Sequence, residues 1–362
     1  MGHFFEKIEG KRIQCLLISR LRFMGDVILT TPLIRALKKG LPDVRLVYLT
    51  EPPFGQLLEN NPYLDKIVLF DRVRLDSLPV LKSFREQVQF FSALRKLRCT
   101  AAVDLLGLPR TAFQLRLSGA PIRIGGNYRY RKHLYTHLFP VERMHWKTAI
   151  DFYLNVLKFF DLPDDGRQTK VFVTEKEKGW ARAYLKMKGF DLSLPIVGLH
   201  PGGTWPAKLW PWERFAELAV RLTNELKVQV FLTGGPNDQE ILKKVGEKLG
   251  DRAYRGEVLT LRQLAAVQSL FSVFVSNDCG PMHLAPAVGT PTIGIFGPGE
   301  PDIWFPYSEE KGHSFIYKHV SCSPCHYDFC PTDHICMKAI EVEEVFERIR
   351  KVLERFPVRS KY

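Results

Sequence analysis

The sequence predicts an α/β protein built from two doubly wound domains, and three observations carry that reading. Apolar, strand-length runs alternate with helical segments along the whole chain, the pattern of mainly parallel sheets covered on both faces. The length, 362 residues, exceeds what one hydrophobic core usually organises. A break at Pro163-Asp164-Asp165-Gly166 splits the alternation into halves, so the expected domains are residues 1–166 and 167–346 about a central cleft.

In the first half, Arg12–Ser19 (RIQCLLIS) has a buried-strand pattern, and a loop holding Gly25 and Asp26 follows. Thr31-Pro32 reads as a cap with proline at the first helical position, opening a helix that ends near Gly40. Val44–Leu49 and Lys66–Phe70 are strands. Ser83–Arg98 is a helix, with Phe84, Val88, Phe91, Leu94 and Leu97 apolar and basic residues between them. Ala101–Leu106 and Pro121–Gly125 are strands, and Lys147–Phe160 is helical. In the second half, strands at Ile196–His200, Val228–Thr233, Ser272–Ser276 and Thr290–Phe296 alternate with helices at Glu175–Lys188, Trp212–Glu225, Asn237–Leu249 and Pro281–Val288. A last helix covers Val342–Phe356. There is no short internal repeat and no low-complexity tract.

Hydrophobic residues make up 45% and charged residues 25% of the chain, which is ordinary for a globular protein. The longest mainly apolar runs, Leu270–Val275 and Thr290–Phe296, fall far short of the roughly 20 residues that span a bilayer. Met1–Lys11 is short and mixed in charge, without the apolar core of a signal peptide, so a cytoplasmic location is expected. A net charge of +13 raises the local concentration of anionic ligands, whether nucleic acid, phosphorylated lipid or membrane, or else serves only solubility. Seven cysteines in such a chain are expected to be mostly reduced.

Four loops at strand ends could carry chemistry. The stretch from His200-Pro201-Gly202-Gly203-Thr204 to Lys208-Leu209-Trp210-Pro211 begins where a strand ends, which is where open α/β sheets bind ligands. Gly202 and Gly203 let backbone N–H groups approach a phosphate, and Lys208 adds a point charge. A rigid surface turn is the plain alternative. Ser276–Ala285 follows another strand; Pro281 opens a helix whose free N–H groups and dipole suit an anion or a hydroxyl. There Asp278 can accept hydrogen bonds from sugar hydroxyls, and His283 faces the same helix end; otherwise Asp278 is a cap and His283 an interior histidine. Thr233–Glu240 is a third such loop, in which an acidic residue binds ribose hydroxyls or Asn237 or Asp238 simply caps the next helix. Gly297-Pro298-Gly299 is the fourth.

In the first half, Arg22-Phe23-Met24-Gly25-Asp26 lies at the first crossover but lacks the glycine spacing of a dinucleotide fingerprint. Asp26 is a candidate general base or, more plainly, an acid at a helix N-terminus. Arg123–Lys147 interleaves Arg123, Arg129, Arg131 and Arg143 with Tyr128, Tyr130, Tyr135 and Trp146. That composition suits single-stranded nucleic acid, a phosphorylated glycolipid or a solvated basic face. No zinc finger, RNP-like or other nucleic-acid signature supports the first of these. Cys322, Cys325, Cys330 and Cys336 cluster late in the chain with His326 and His334. Only the Cys322/Cys325 pair has the close spacing of a zinc ligand pair, so packed thiols or local disulfides are favoured over zinc or an iron–sulfur cluster. Cys15 and Cys99 look structural, and Cys279 lies in a site loop.

Taken together these motifs resemble glycosyltransferase family 9, the lipopolysaccharide heptosyltransferases. The resemblance covers nearly the whole chain and rests on Gly25-Asp26 with Thr31-Pro32, on His200-Pro201-Gly202 through Lys208 and Trp210-Pro211, and on Asn277-Asp278 through Gly280, His283 and Leu284-Ala285. It implies the GT-B architecture, two Rossmann-like domains with a C-terminal helix, here about 347–362, crossing back onto the first. It also implies inverting, metal-independent transfer of heptose from ADP-heptose to the anionic lipid A–Kdo inner core, the second heptose being favoured, at the cytoplasmic face of the inner membrane. A family member using another nucleotide sugar, such as a UDP donor, or a non-catalytic nucleotide-sugar or glycolipid binder, is the alternative. By the same resemblance Asp26 is the base, Lys208 binds the donor diphosphate, and Asp278, Gly280 and His283 hold the donor. Thr204, Asp238 rather than Glu240 as ribose ligand, although neither aligns cleanly with the family's acid, and Cys279, where the family often has Ser or Thr, complete the donor set. The acceptor is expected at Arg123, Arg129, Arg131 and Arg143. No cofactor is implied.

Overall fold

The computed structural model describes residues 7–8, 13–250, 253–255 (backbone only), 258–325 and 327–357. The chain divides into two compact units, Met1–Phe172 and Val173–Tyr362. Each holds one six-stranded, all-parallel sheet.

In the first unit the strands are β1 (Cys15–Ser19), β2 (Arg45–Thr50), β3 (Lys66–Leu69), β4 (Ala101–Asp104), β5 (Ile122–Gly126) and β6 (His137–Phe139), in the order β3-β2-β1-β4-β5-β6. Leu16, Leu17 and Ile18 are consecutive and all fully buried, as a central strand covered on both faces requires. The helix Thr31–Gly40 opens with Pro32, buries Leu33, Ile34, Ala36 and Leu37, and ends on Lys38 and Lys39, whose charge suits the helix C-terminus. Ala149–Leu154 is held by a reciprocal cap between Thr148 and Asp151 and buries Tyr153. Cys15 and Cys99, brought together by the β1–β4 pairing with Cα atoms 4.4 Å apart, form a disulfide.

In the second unit the strands are β7 (Ile196–His200), β8 (Gln229–Leu232), β9 (Ala253–Arg255), β10 (Val273–Asn277), β11 (Thr292–Phe296) and β12 (Ser314–Tyr317), in the order β12-β11-β10-β7-β8-β9. Both sheets therefore have the doubly wound order 3-2-1-4-5-6, with the winding reversed between β1 and β4 and between β7 and β10. At such reversals ligands bind beyond the carboxyl ends of the strands. The expected α/β class with two Rossmann-like units holds.

Three expectations change. The division falls at 172/173 rather than 166/167, because Arg35 donates to the Asp165 carboxylate and to the carbonyls of Asp165, Gly166 and Gln168, and Thr31 accepts from the Lys170 amide. The presumed linker is thus strapped to the first unit. The C-terminal helix Val342–Arg355, expected on the first unit, buries its apolar stripe in its own: Val342, Val345, Phe346, Ile349 and Val352 lie in the second unit's core with Trp210, Phe215 and Leu222. Residues 358–362 lie outside the described residues. Finally, β6, β9 and β12 are short outer strands, three or four residues long, that gave no periodic signal in the sequence. Among the described residues no helix is long and apolar enough to cross a membrane.

Candidate functional site

Beyond the end of β1 the chain turns into the helix Met24–Leu29, and Asp26 sits in its first turn rather than in a loop. Its side chain is 11% exposed. Oδ1 accepts from Arg20 Nη2 at 2.6 Å and from the Tyr153 hydroxyl at 2.8 Å. Among the described residues no donor reaches Oδ2. Arg20 is also tied to β4's end, donating from Nη1 to the Leu105 carbonyl at 3.1 Å. Burial raises the Tyr153 phenol well above the ordinary tyrosine range, so it stays a donor to Asp26. Asp104, the last residue of β4, is used differently. Its Oδ1 accepts the Leu106 and Gly107 amides and its Oδ2 the Tyr135 hydroxyl, which braces the turn. A buried carboxylate fixed on one oxygen and open on the other can take a proton from a hydroxyl brought to it.

The four arginines expected to hold an acceptor are not equivalent. Arg123 is half-buried and donates to the carbonyls of Leu134, Ala120 and Pro121, so it is a strap for its own turn and is withdrawn from the acceptor set. Arg143 donates to the Trp146 carbonyl and lies over that residue's ring. Arg129 is exposed beside the Tyr130 ring, at 5.2 Å. Arg131 stacks on Tyr128, whose ring occupies the space where a side chain on Gly107 or Gly126 would be. That places Arg131, of the four, next to the turn that follows β4.

In the second unit the loop after β7 is held open by Asn277, the last residue of β10. Its Nδ2 donates to the Pro201 and Gly202 carbonyls at 3.0 and 3.1 Å, and its Oδ1 accepts from the Trp210 amide at 3.0 Å. This clamp, together with Trp210 buried against Phe215, fixes Lys208 and Asp278 in contact, Nζ to Oδ2 2.5 Å. Lys208 also lies over the Trp205 ring at 4.5 Å. An ammonium has three N–H donors, so the ion pair aims Lys208 and leaves donors for an oxyanion. Thr204 is exposed on the same loop. Asp238 comes against it: Oδ1 accepts from the Gly203 amide at 3.2 Å and Oδ2 from Gly235 at 2.7 Å. A Cβ at Gly202 would strike the Asp238 carboxylate at 2.2 Å, so glycine is required there by close approach.

His200 Nε2 lies 4.0 Å from Asp238 while Nδ1 pairs with the Thr233 hydroxyl. Burial pulls this imidazole down to about 4 despite Asp238, so it is neutral near pH 7. Cys279 precedes the helix Gly280–Ala287, packs its thiol on the Ser276 hydroxyl at 3.3 Å, and is pushed up by burial to about 12, which leaves it an unreactive thiol. His283 is buried in the first turn of that helix and pairs with the Tyr307 hydroxyl at 2.8 Å. The loop at Gly297–Gly299 closes the rim, with Gly299 against Asp278. Of the seven expected donor residues, Lys208 and Asp278 are bonded to each other, Asp238 braces the same loop, Cys279, Gly280 and His283 stand at the start of the helix that follows β10, and Thr204 is exposed on the β7 loop. Arg20 and Tyr153 were missed, and Asn277 was named in a motif without a role; Asn277 and Arg20 had a signal, each standing at the end of a central strand.

The cysteine loop buttresses this rim. The Asp328 carbonyl accepts from the Ala207 amide, and Cys325 N–H donates to Pro298. Cys322, Cys325, Cys330 and Cys336 are free thiols, which removes the local disulfides. Cys322 and Cys330 each lie 3.6 Å from the Thr332 hydroxyl. Among the described residues no three His, Cys, Asp or Glu side chains are arranged to hold a metal; His326 lies outside them.

The model of glycosyltransferase family 9 (heptosyltransferase) matches residues 88–336. Lipopolysaccharide heptosyltransferase 3 of Escherichia coli is 26% identical over 302 residues, 80% of this chain and 85% of that protein. Among solved structures, a family 9 glycosyl transferase from Veillonella parvula superposes with a TM-score of 0.81 at 23% identity, covering 96% of this chain and 99% of its own. The E. coli ADP-heptose LPS heptosyltransferase II gives 0.77 at 23%, covering 94% and 99%.

Proposed function

From the premise that this chain belongs to glycosyltransferase family 9, we propose that it transfers heptose from ADP-heptose to the inner core of lipopolysaccharide. The observation that carries the reading is a division of polar groups between two sheet reversals. A buried carboxylate with one open oxygen stands at β1/β4, and an aimed ammonium among glycine-rich turns stands at β7/β10.

In the proposed step the acceptor hydroxyl oxygen bonds to the anomeric carbon of the heptose, with inversion. Its proton passes to Asp26 Oδ2. The bond from that carbon to the diphosphate breaks, and its electron pair leaves on ADP, where Lys208 and the amides at the start of the helix Gly280–Ala287 stabilise the charge. Arg20 and Tyr153 keep the Asp26 carboxylate oriented. Asp278 aims Lys208 and would accept from a hydroxyl of the donor sugar. Asp238 braces the Gly203 turn with both oxygens, and its ribose contact would be made from that braced position. Arg131 is the first choice among the arginines for the acceptor's phosphates. A lipid-anchored acceptor would bring the protein to the cytoplasmic face of the inner membrane.

Incubation with ADP-heptose and defined truncated cores should add one heptosyl unit, read by mass. Isothermal titration should show ADP binding more tightly than UDP; preferential UDP binding would overturn the donor assignment.

A further inference from the structure

We propose that an exposed apolar face on the helix Val80–Lys96, with Val73 and Phe113 beside it, docks onto an anionic lipid bilayer. This helix has more apolar surface than its own unit uses. Leu94 is buried and Phe90, Phe91 and Leu97 pack against the first unit's core. A second set, Val80, Leu81, Phe84 and Val88, falls within an arc of about 100° at the helical rotation per residue. These side chains are 84%, 85%, 67% and 52% exposed. Val73 on the helix Arg72–Ser77 and Phe113 on the helix Pro109–Leu117 are 64% and 56% exposed, and Arg110 and Asp76 pair between those two helices at 3.3 Å. Single exposed apolar residues are ordinary; a set at helical spacing marks an interaction surface.

Charge selects the occupant. Residues 69–96 carry six basic and three acidic side chains, and each acid is engaged. Glu86 accepts Arg74 on both oxygens, Asp76 pairs with Arg72 and Arg110, and Asp71 caps the helix Arg72–Ser77. Lys82 and Arg85, exposed on the same helix as the apolar set, meet no acid among the described residues. An apolar stripe flanked by Arg85, with Lys82 on the polar face behind it, is the pattern of a helix lying in an anionic interface. A second copy of the chain would set like charges against each other.

Position supports the same occupant. The helix Arg72–Ser77 follows the carboxyl end of β3, and Arg72 pairs with Glu51 just past β2 at 3.0 Å. The helix Pro109–Leu117 follows β4. The apolar face is therefore rooted on the rim of the first sheet that also carries Asp26. The proposal rests on the reading that the acceptor is membrane-borne, yet it can be tested with neither donor nor acceptor present.

The test is co-sedimentation of the full chain with vesicles of phosphatidylcholine alone or doped with phosphatidylglycerol. The expected result is binding to the doped vesicles that rising salt weakens, and a fall of about tenfold or more in Leu81→Glu/Phe84→Glu. Lys82→Glu/Arg85→Glu should lose the preference for the anionic lipid. Because these side chains are exposed, melting temperature, ADP affinity and turnover of a deacylated, water-soluble acceptor should stay as in the parent protein. Equal vesicle binding by parent and Leu81→Glu/Phe84→Glu, or none by the parent, would overturn the proposal, as would a dimer that Leu81→Glu/Phe84→Glu dissolves. Absence of transfer with every acceptor, alongside retained vesicle binding, would strike the functional reading and leave the docking surface standing.

Discussion

At the reversal between β1 and β4, one oxygen of Asp26 is gripped by Arg20 and Tyr153 while the other is left open; at the reversal between β7 and β10, Lys208 is already closed onto Asp278 and the loop around it is stitched by Asn277. The same sheet order thus supports two kinds of preparation. The first unit holds a group with a vacant acceptor, suited to receiving a proton. The second holds a cation aimed by its own counter-ion and set among backbone amides, suited to receiving charge that appears only as the donor breaks. Each buried charge is partnered, which is what lets it exist there at all.

Breaking the first preparation should have the largest effect. Asp26→Asn keeps the side chain's shape and removes the proton acceptor, so turnover should fall about 10²–10⁴-fold in a product-mass assay. Lys208→Met should lower turnover by about 10²–10³-fold, as loss of one charge-stabilising donor does, and should also weaken ADP binding in calorimetry. Tyr153→Phe removes one of two bonds to Oδ1; a drop of about tenfold in turnover with ADP affinity unchanged is expected. Arg123→Ala sharpens the contrast differently. It should cost about 1–2 kcal/mol of stability in denaturant unfolding, because three carbonyls lose their donor, and leave acceptor KM unchanged.

One effect touches stability alone and is graded by pH. His200 is held by burial at about 4, against 6.5 for a free imidazole. Between those values the unfolded chain binds a proton that the fold excludes. The corresponding stability is complete above about pH 6.5 and is lost as pH falls towards 4, by at most about 1.4 kcal/mol per pH unit. Thermal melting should follow that slope, and His200→Gln should flatten it.

The loops after β7 and β10 were legible because glycine, proline and a lone lysine or aspartate at strand ends have few structural uses, and their order along the chain is distinctive. Asp26 was legible for the same reason. Tyr153 was not, since it meets Asp26 across 127 positions of sequence and looks like any aromatic in an apolar helix. Arg123 misled because a basic, aromatic-rich composition does not reveal which arginines face carbonyls of their own turn. The C-terminal helix shows the limit of a periodic pattern: the stripe of Val342, Val345, Phe346, Ile349 and Val352 announced burial but not that these side chains lie in the second unit's core.

The division of labour is tested most directly by titrating ADP into Asp26→Asn by calorimetry. An affinity within about twofold of the parent, beside the collapsed turnover, is the expected result, because the groups proposed to hold ADP all belong to the second unit. A loss of ADP affinity in parallel with the loss of turnover would contradict it.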